Sequence, residues 1–132
     1  MSERKFLRTV ADYQFGSGAG GALFPTGESL AVSHTNSGRP RQVKSDEGRL
    51  GTYGIDGRFT LGLVGGRRLA EAFDRPRLRV VVGSESAPYV REGRNAFAKF
   101  VRAVDPGIRP GDEVLVEHVG GSLLAVGRAT LS

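Results

Sequence analysis

Two periodicities alternate along this chain. Between residues 4 and 15, Phe6, Leu7, Val10 and Tyr13 recur near helical spacing, with Gln14 a further candidate for that face, Ser2 placed as an N-cap and Gly16 as a stop, which predicts an amphipathic helix. Residues 16–21 are glycine-rich and read as a turn, and Ala22, Leu23 and Phe24 form a short helical turn ended by Pro25. Strand-type runs then follow at residues 29–33, 41–44, 49–55 and 58–64, separated by turn residues. Asp56-Gly57, between two of these runs, is a hairpin signal, because glycine takes the positive φ that a tight β-turn demands. A second helix is expected over residues 66–73, with Leu69, Ala70 and Phe73 on one face.

The pattern changes at Asp74-Arg75-Pro76. A proline pushes the residue before it out of helical geometry, so a break is expected there, dividing the chain into residues 1–75 and 76–132. The second part opens with a strand at 78–82 and a short helical or irregular segment at 85–91, then further strands at 96–104, 113–118 and 123–130. Short strands linked by glycine turns at this density point to a closed or nearly closed small barrel, which removes exposed sheet edges. The fold class read from the pattern is α+β, a small α+β domain followed by a β-barrel.

Composition narrows the chemistry. The 132 residues are 39% hydrophobic, enough for a folded core in one compact domain or two small ones. No run of about 18 apolar residues occurs and no apolar stretch follows a basic amino terminus, so no membrane partner and a cytoplasmic location are expected. Cysteine is absent, which excludes disulfides, thiolate nucleophiles and sulfur-ligated metal sites. The two histidines, His34 and His118, are far apart and read as ordinary surface residues, so neither a metal nor any other cofactor is expected.

The formal net charge is +5, and among 19 basic residues only Lys5, Lys44 and Lys99 are lysines. Guanidinium groups pair bidentately with phosphates and stack on bases, so an arginine-rich surface favours a nucleic-acid partner; a codon bias toward arginine explains the same count. Residues 1–75 carry a net +3 and residues 76–132 a net +2, so neither part is the sole basic one.

No nucleophile can be paired with a base, and no catalytic residue is assigned. The glycine run at 16–21 invites a phosphate-loop reading, since backbone N–H groups at such turns cradle anions. It follows a helix rather than a strand and lacks the Gly-Lys-Ser/Thr ending, so a tight connection between helices is the expected role. Asp12 is the carboxylate to inspect for acid–base chemistry; the alternative is a helix-face or capping residue.

Three segments in the second part resemble the PUA domain, a small RNA-binding β-barrel. They are residues 90–101, with Arg91, Gly93, Arg94, Asn95, Phe97, Lys99 and Phe100; residues 108–114, with Pro110-Gly111-Asp112-Glu113-Val114; and residues 124–129. The resemblance implies that the barrel is of PUA type and that RNA is the partner. Gly93 would let backbone approach an RNA phosphate or sugar or take a positive φ, and Arg91, Arg94 and Lys99 surround that turn, placed to grip phosphates, the alternative being a solvated face. Asn95, Arg79 and Arg102 complete the expected RNA-binding set, although Arg79, Arg102 and Arg128 lie in strands whose facing is open. Phe97, Phe100 and Val101 are expected to pack rather than to stack on bases.

The first part has a resemblance of its own, carried by residues 7–16, Gly18-Ala19-Gly20, Leu23-Phe24-Pro25 and residues 56–61. It is similar to the accessory domain that precedes the PUA domain in archaeal tRNA-guanine transglycosylases of the archaeosine pathway. Together the two resemblances imply a tRNA-binding module acting beside a catalytic tRNA-modifying subunit. The cysteine-rich zinc site and catalytic barrel of that family find no counterpart, so the chain is not expected to be an enzyme. Two rivals are a protein-interaction subunit with no direct RNA contact and a small tRNA-modifying enzyme built around Asp12 and the glycine turn.

Overall fold

A computed structural model describes residues 2–83 and 101–130. The chain divides into two compact units, Met1–Ala72 and Phe73–Ser132. Among the described residues no helix is long and apolar enough to cross a membrane.

In the first unit, α1 (Glu3–Phe15) begins where Ser2 Oγ accepts from the Lys5 N–H at 3.1 Å. It ends at Gly16, whose φ of 114° leaves the helix while its N–H still reaches the Asp12 carbonyl at 2.9 Å. Both boundaries follow the capping residues. The buried face does not follow the expectation: Leu7, Ala11 and Phe15 are inside, whereas Tyr13 is 95% exposed. The core selects the i, i+4, i+8 row containing the small Ala11, because a second helix lies close against α1.

That helix, α2 (Ala19–Leu23), occupies part of the glycine stretch read as a turn. Glycine is a poor helix former, but a Cβ on Gly20 would meet the Arg8 carbonyl oxygen at 2.3 Å, so only glycine permits this approach. The Asp12 carboxylate spans the connection and accepts from the Gly20 N–H at 2.7 Å.

The sheet is an antiparallel meander of β1 (Ala31–His34), β2 (Pro40–Ser45), β3 (Gly48–Tyr53) and β4 (Phe59–Leu61), in that order. The Asp56-Gly57 hairpin forms, with Gly57 at φ 80° and the Gly54 N–H bonded to the Arg58 carbonyl at 2.8 Å. Residues 63 and 64, read as strand, instead begin α3 (Leu63–Ala72). Gly62 closes the β3–β4 ladder on the Leu50 carbonyl, and its own carbonyl accepts from Gly66 to start the helix. α3 sits so close to β3 that a Cβ on Gly65 would lie 2.0 Å from the Leu50 oxygen.

Phe24, Leu50, Phe59, Leu61 and Leu69 are fully buried here, each side chain stabilising the fold by about 1.5–3 kcal/mol. The Phe24 and Tyr53 rings each stand 5.4 Å from that of Phe59. Gln14 uses its side-chain amide like a backbone, accepting from the Phe59 N–H at 2.6 Å and donating to the Phe59 carbonyl at 2.9 Å. Arg68 of α3 ties the loops together, forking onto both Glu28 carboxylate oxygens at 2.6 and 2.8 Å and reaching Glu47 and the Leu23 carbonyl.

Among the described residues the second unit has a four-stranded sheet ordered β6-β5-β7-β8. It contains β5 (Arg79–Val82), β6 (Val101–Val104), β7 (Glu113–His118) and β8 (Leu123–Arg128). β7 starts where expected, after the Pro110-Gly111 turn, with Gly111 at φ 91°. β5 and β7 run parallel, pairing Arg79 with Leu115 and Val82 with His118, while the other pairs are antiparallel. Val82, Val114, Val116 and Leu124 make the core on one face, with Val80, Val101 and Ile108 packed against them. Ahead of β5, Leu78 holds a left-handed φ of 66°, a strain of about 1–3 kcal/mol for such a residue. Asp105 secures it by accepting its N–H at 2.8 Å. The segment at 85–91 and residues 96–100 of the expected strand lie outside the described residues.

Candidate nucleic-acid interface

Side chains alternate across a strand, so the valines that fill one face of β7 leave Glu113, Leu115 and Glu117 together on the other. The registers bring Arg79 and Val81 of β5 and Val126 and Arg128 of β8 to that same face. One side of the sheet is thus apolar and the other carries carboxylates and guanidinium groups.

Both carboxylates are buried and both are paired. Glu117, whose side chain is 2% exposed, accepts from Arg75 Nε at 2.8 Å and from Arg79 Nε at 3.2 Å. Glu113 accepts from Arg128 Nε at 3.3 Å. A carboxylate taken out of water needs such partners, since an unpaired buried charge costs several kcal/mol. The partners differ in a way that bears on function. Arg79 is itself buried, and its Nη1 donates to the Phe73 and Arg77 carbonyls, each at 2.9 Å. Arg75 and Arg128 keep side chains 57% and 56% exposed. Arg75 Nη2 also donates to the Gly121 carbonyl at 3.0 Å, and Arg77 lies over the Phe73 ring at 4.2 Å.

Of the expected RNA-binding residues, Arg91, Gly93, Arg94, Asn95 and Lys99 lie outside the described residues. Arg102 is exposed on β6, at the edge of the described sheet. Arg79 is corrected: its guanidinium is walled in by Glu117 and two carbonyls and is a core ion-pair member, not a surface contact. The sequence reading missed Arg75 and the anchoring carboxylates. The signal was present in Glu113-x-Leu115-x-Glu117, which on a strand puts two carboxylates on one face and demands cationic partners there.

The other candidates are local devices. Asp12 caps the turn into α2. His34 meets Glu3 at 2.8 Å on the exposed surface, and His118 Nδ1 accepts from the Gly120 N–H at 2.9 Å within the β7–β8 turn. What the described surface offers chemically is guanidinium groups held in place, the geometry that suits phosphate oxygens.

Comparison with known proteins separates the two parts again. Residues 5–76 match the patch-forming domain C2 of tRNA-guanine transglycosylase, and residues 78–132 match the PUA domain. Over 97% of its length the chain is 45% identical to a tRNA-guanine(15) transglycosylase of Pyrococcus abyssi, of which it covers 21%. Against the same enzyme of Thermococcus kodakarensis the identity is 45%, over 98% of this chain and 22% of the relative. For Methanothermobacter thermautotrophicus it is 41%, over 95% and 19%. The chain spans about a fifth of the length of the curated relatives it matches, and its two matched domains leave no room in these 132 residues for a catalytic barrel.

Two solved structures share the mixed α+β fold. A conserved PUA domain protein from Thermoplasma acidophilum superposes with a TM-score of 0.60 at 22% identity, covering 99% of this chain and 79% of that one. A protein from Pyrococcus horikoshii OT3 gives 0.66 at 19%, covering 99% and 81%.

Proposed function

Because the chain belongs to the family of the patch-forming domain C2 of tRNA-guanine transglycosylase and carries a PUA domain after it, we propose that it is an RNA-binding module that handles tRNA beside a tRNA-modifying catalytic unit. The observation that carries this reading is the identity of 45% that runs through both domains, in the same order, to enzymes that act on tRNA. The arginine-dominated charge of +5 supports it. Recognition would rest on phosphates and helix shape, since a double-stranded RNA stem offers side chains little sequence information. The module itself performs no chemistry and works in the cytoplasm.

The test is a mobility-shift titration with a transcribed tRNA over a range of salt. Binding should weaken steeply as salt rises, because each phosphate contact releases counterions. Arg91→Ala and Arg94→Ala should each weaken it and flatten the salt slope by roughly one. Absence of binding, or binding indifferent to salt, would overturn the reading. A second reading, docking onto a protein without RNA contact, draws on Tyr13 and Ile55, both 95% exposed. It gains support if the chain binds a catalytic transglycosylase unit but not tRNA.

A further inference from the structure

We infer that Arg75 and Arg128 form a phosphate-gripping surface of the PUA unit besides residues 91–99, and that the buried carboxylates Glu117 and Glu113 exist in part to hold these two guanidinium groups outward. The inference rests on the RNA-binding reading and adds the residues and the ligand atoms.

Two observations carry it. First, the anchors are inside and the heads are outside: each carboxylate is almost wholly buried while its arginine remains more than half exposed. A pair meant only to neutralise β7 would gain nothing from that exposure, and Glu117 already has the buried Arg79 as a counter-charge. Second, Arg75 is held through Nε and Nη2 by Glu117 and the Gly121 carbonyl, which leaves Nη1 without an acceptor among the described residues. Its rotamer freedom is lost before any ligand arrives, so a phosphate oxygen accepting from Nη1 costs little further ordering.

Glu113 and Glu117 are four residues apart on one strand, so the anchors stand roughly 13 Å from each other. The two arginines therefore contact different phosphates, which suits a polynucleotide backbone better than a single small anion. Arg77, exposed and laid over Phe73, extends the surface beside Arg75; exposed Asp74 is the opposing charge in that segment.

The experiment measures binding of the full chain to a transcribed tRNA across salt, by fluorescence anisotropy, for the parent, Arg75→Gln, Arg128→Gln and the double variant. Each single change should weaken binding several-fold and lower the salt slope by roughly one, and the double by roughly two, with Arg75→Gln the larger effect. Arg75→Lys should keep the slope while losing part of the affinity, because it keeps the charge and loses the fork. A parent that binds with normal salt dependence and a double variant that matches it would overturn this surface while leaving the RNA-binding reading intact. A parent that does not bind tRNA would overturn both. Should a variant fail to fold, phenylglyoxal modification of the parent reads the same contacts: tRNA should protect Arg75 and Arg128, and equal modification with and without tRNA would sink the proposal.

Discussion

In the first unit, elements meet through missing side chains: α2 reaches α1 at Gly20, and Gly62, just before α3, and Gly65 within it both reach β3, each at a distance a Cβ would forbid. In the second, valines make the core on one face of the sheet, and the other face holds two buried carboxylates with their arginines. The first unit is specified by close approach of backbones and the second by compensation of charge. Each is therefore vulnerable in its own way: one fails when atoms are added, the other when a charge is left alone.

The most demanding test of that contrast is Glu117→Ala. It breaks the buried Glu117–Arg79 pair, and breaking a buried pair costs about 3–5 kcal/mol. Chemical denaturation followed by hydrogen exchange should show the loss of protection starting within residues 73–132. Gly65→Ala is the counterpart in the first unit. Its methyl would collide with the Leu50 carbonyl, a backbone atom that cannot rotate away, and overpacking of this kind costs about 1–3 kcal/mol. The same measurement should locate the loss within residues 1–72, and a loss beginning in the second unit for this variant would contradict the division drawn between them.

The first unit also contains a charge device on Arg68, and it should respond to acid. The Arg68 guanidinium, hydrogen-bonded to Glu28, holds that carboxyl below its usual value of 4.5. A lowered pKa contributes stability above the ordinary carboxylate range that is lost as pH falls through the folded value. Arg68→Ala should lower the thermal midpoint at neutral pH by the equivalent of about 1–2 kcal/mol, discounted for the partial exposure of Glu28. The gap from the parent should narrow as pH falls below 4.5 and close once it passes below the lowered folded-state value of Glu28. Smallest is Ser2→Ala, which removes the α1 cap and should cost about 1 kcal/mol, seen as faster exchange in the first turn.

Local signals were legible in the sequence and non-local ones were not. Ser2, Gly16, Asp56-Gly57 and Pro110-Gly111 act on their own neighbourhoods, so the ends of α1, the β3–β4 hairpin and the start of β7 follow from them. Only the end of α2 was legible, as the helical turn at Ala22-Leu23-Phe24; its start runs through Gly20 and Gly21, poor helix formers, with Gly20 required where the backbone meets Arg8. The parallel pairing of β5 with β7 joins strands more than 30 residues apart, and nothing in either strand names its partner. Arg79 was misjudged for the same reason: alternation tells which residues share a face, but not that both faces of β5 are covered. Of the site itself, arginine content and the PUA-like segments were readable, whereas the role of Arg75 depends on a carboxylate 42 residues away.

Gln14 does more than fill space. The outer edge of β4 would offer the Phe59 amide and carbonyl to any extended chain lying alongside, and those are the two groups the glutamine amide occupies. One side chain from a helix stands in for a fifth strand, so unwanted chain-to-chain growth and fibre formation are blocked at that edge without adding a strand to the fold.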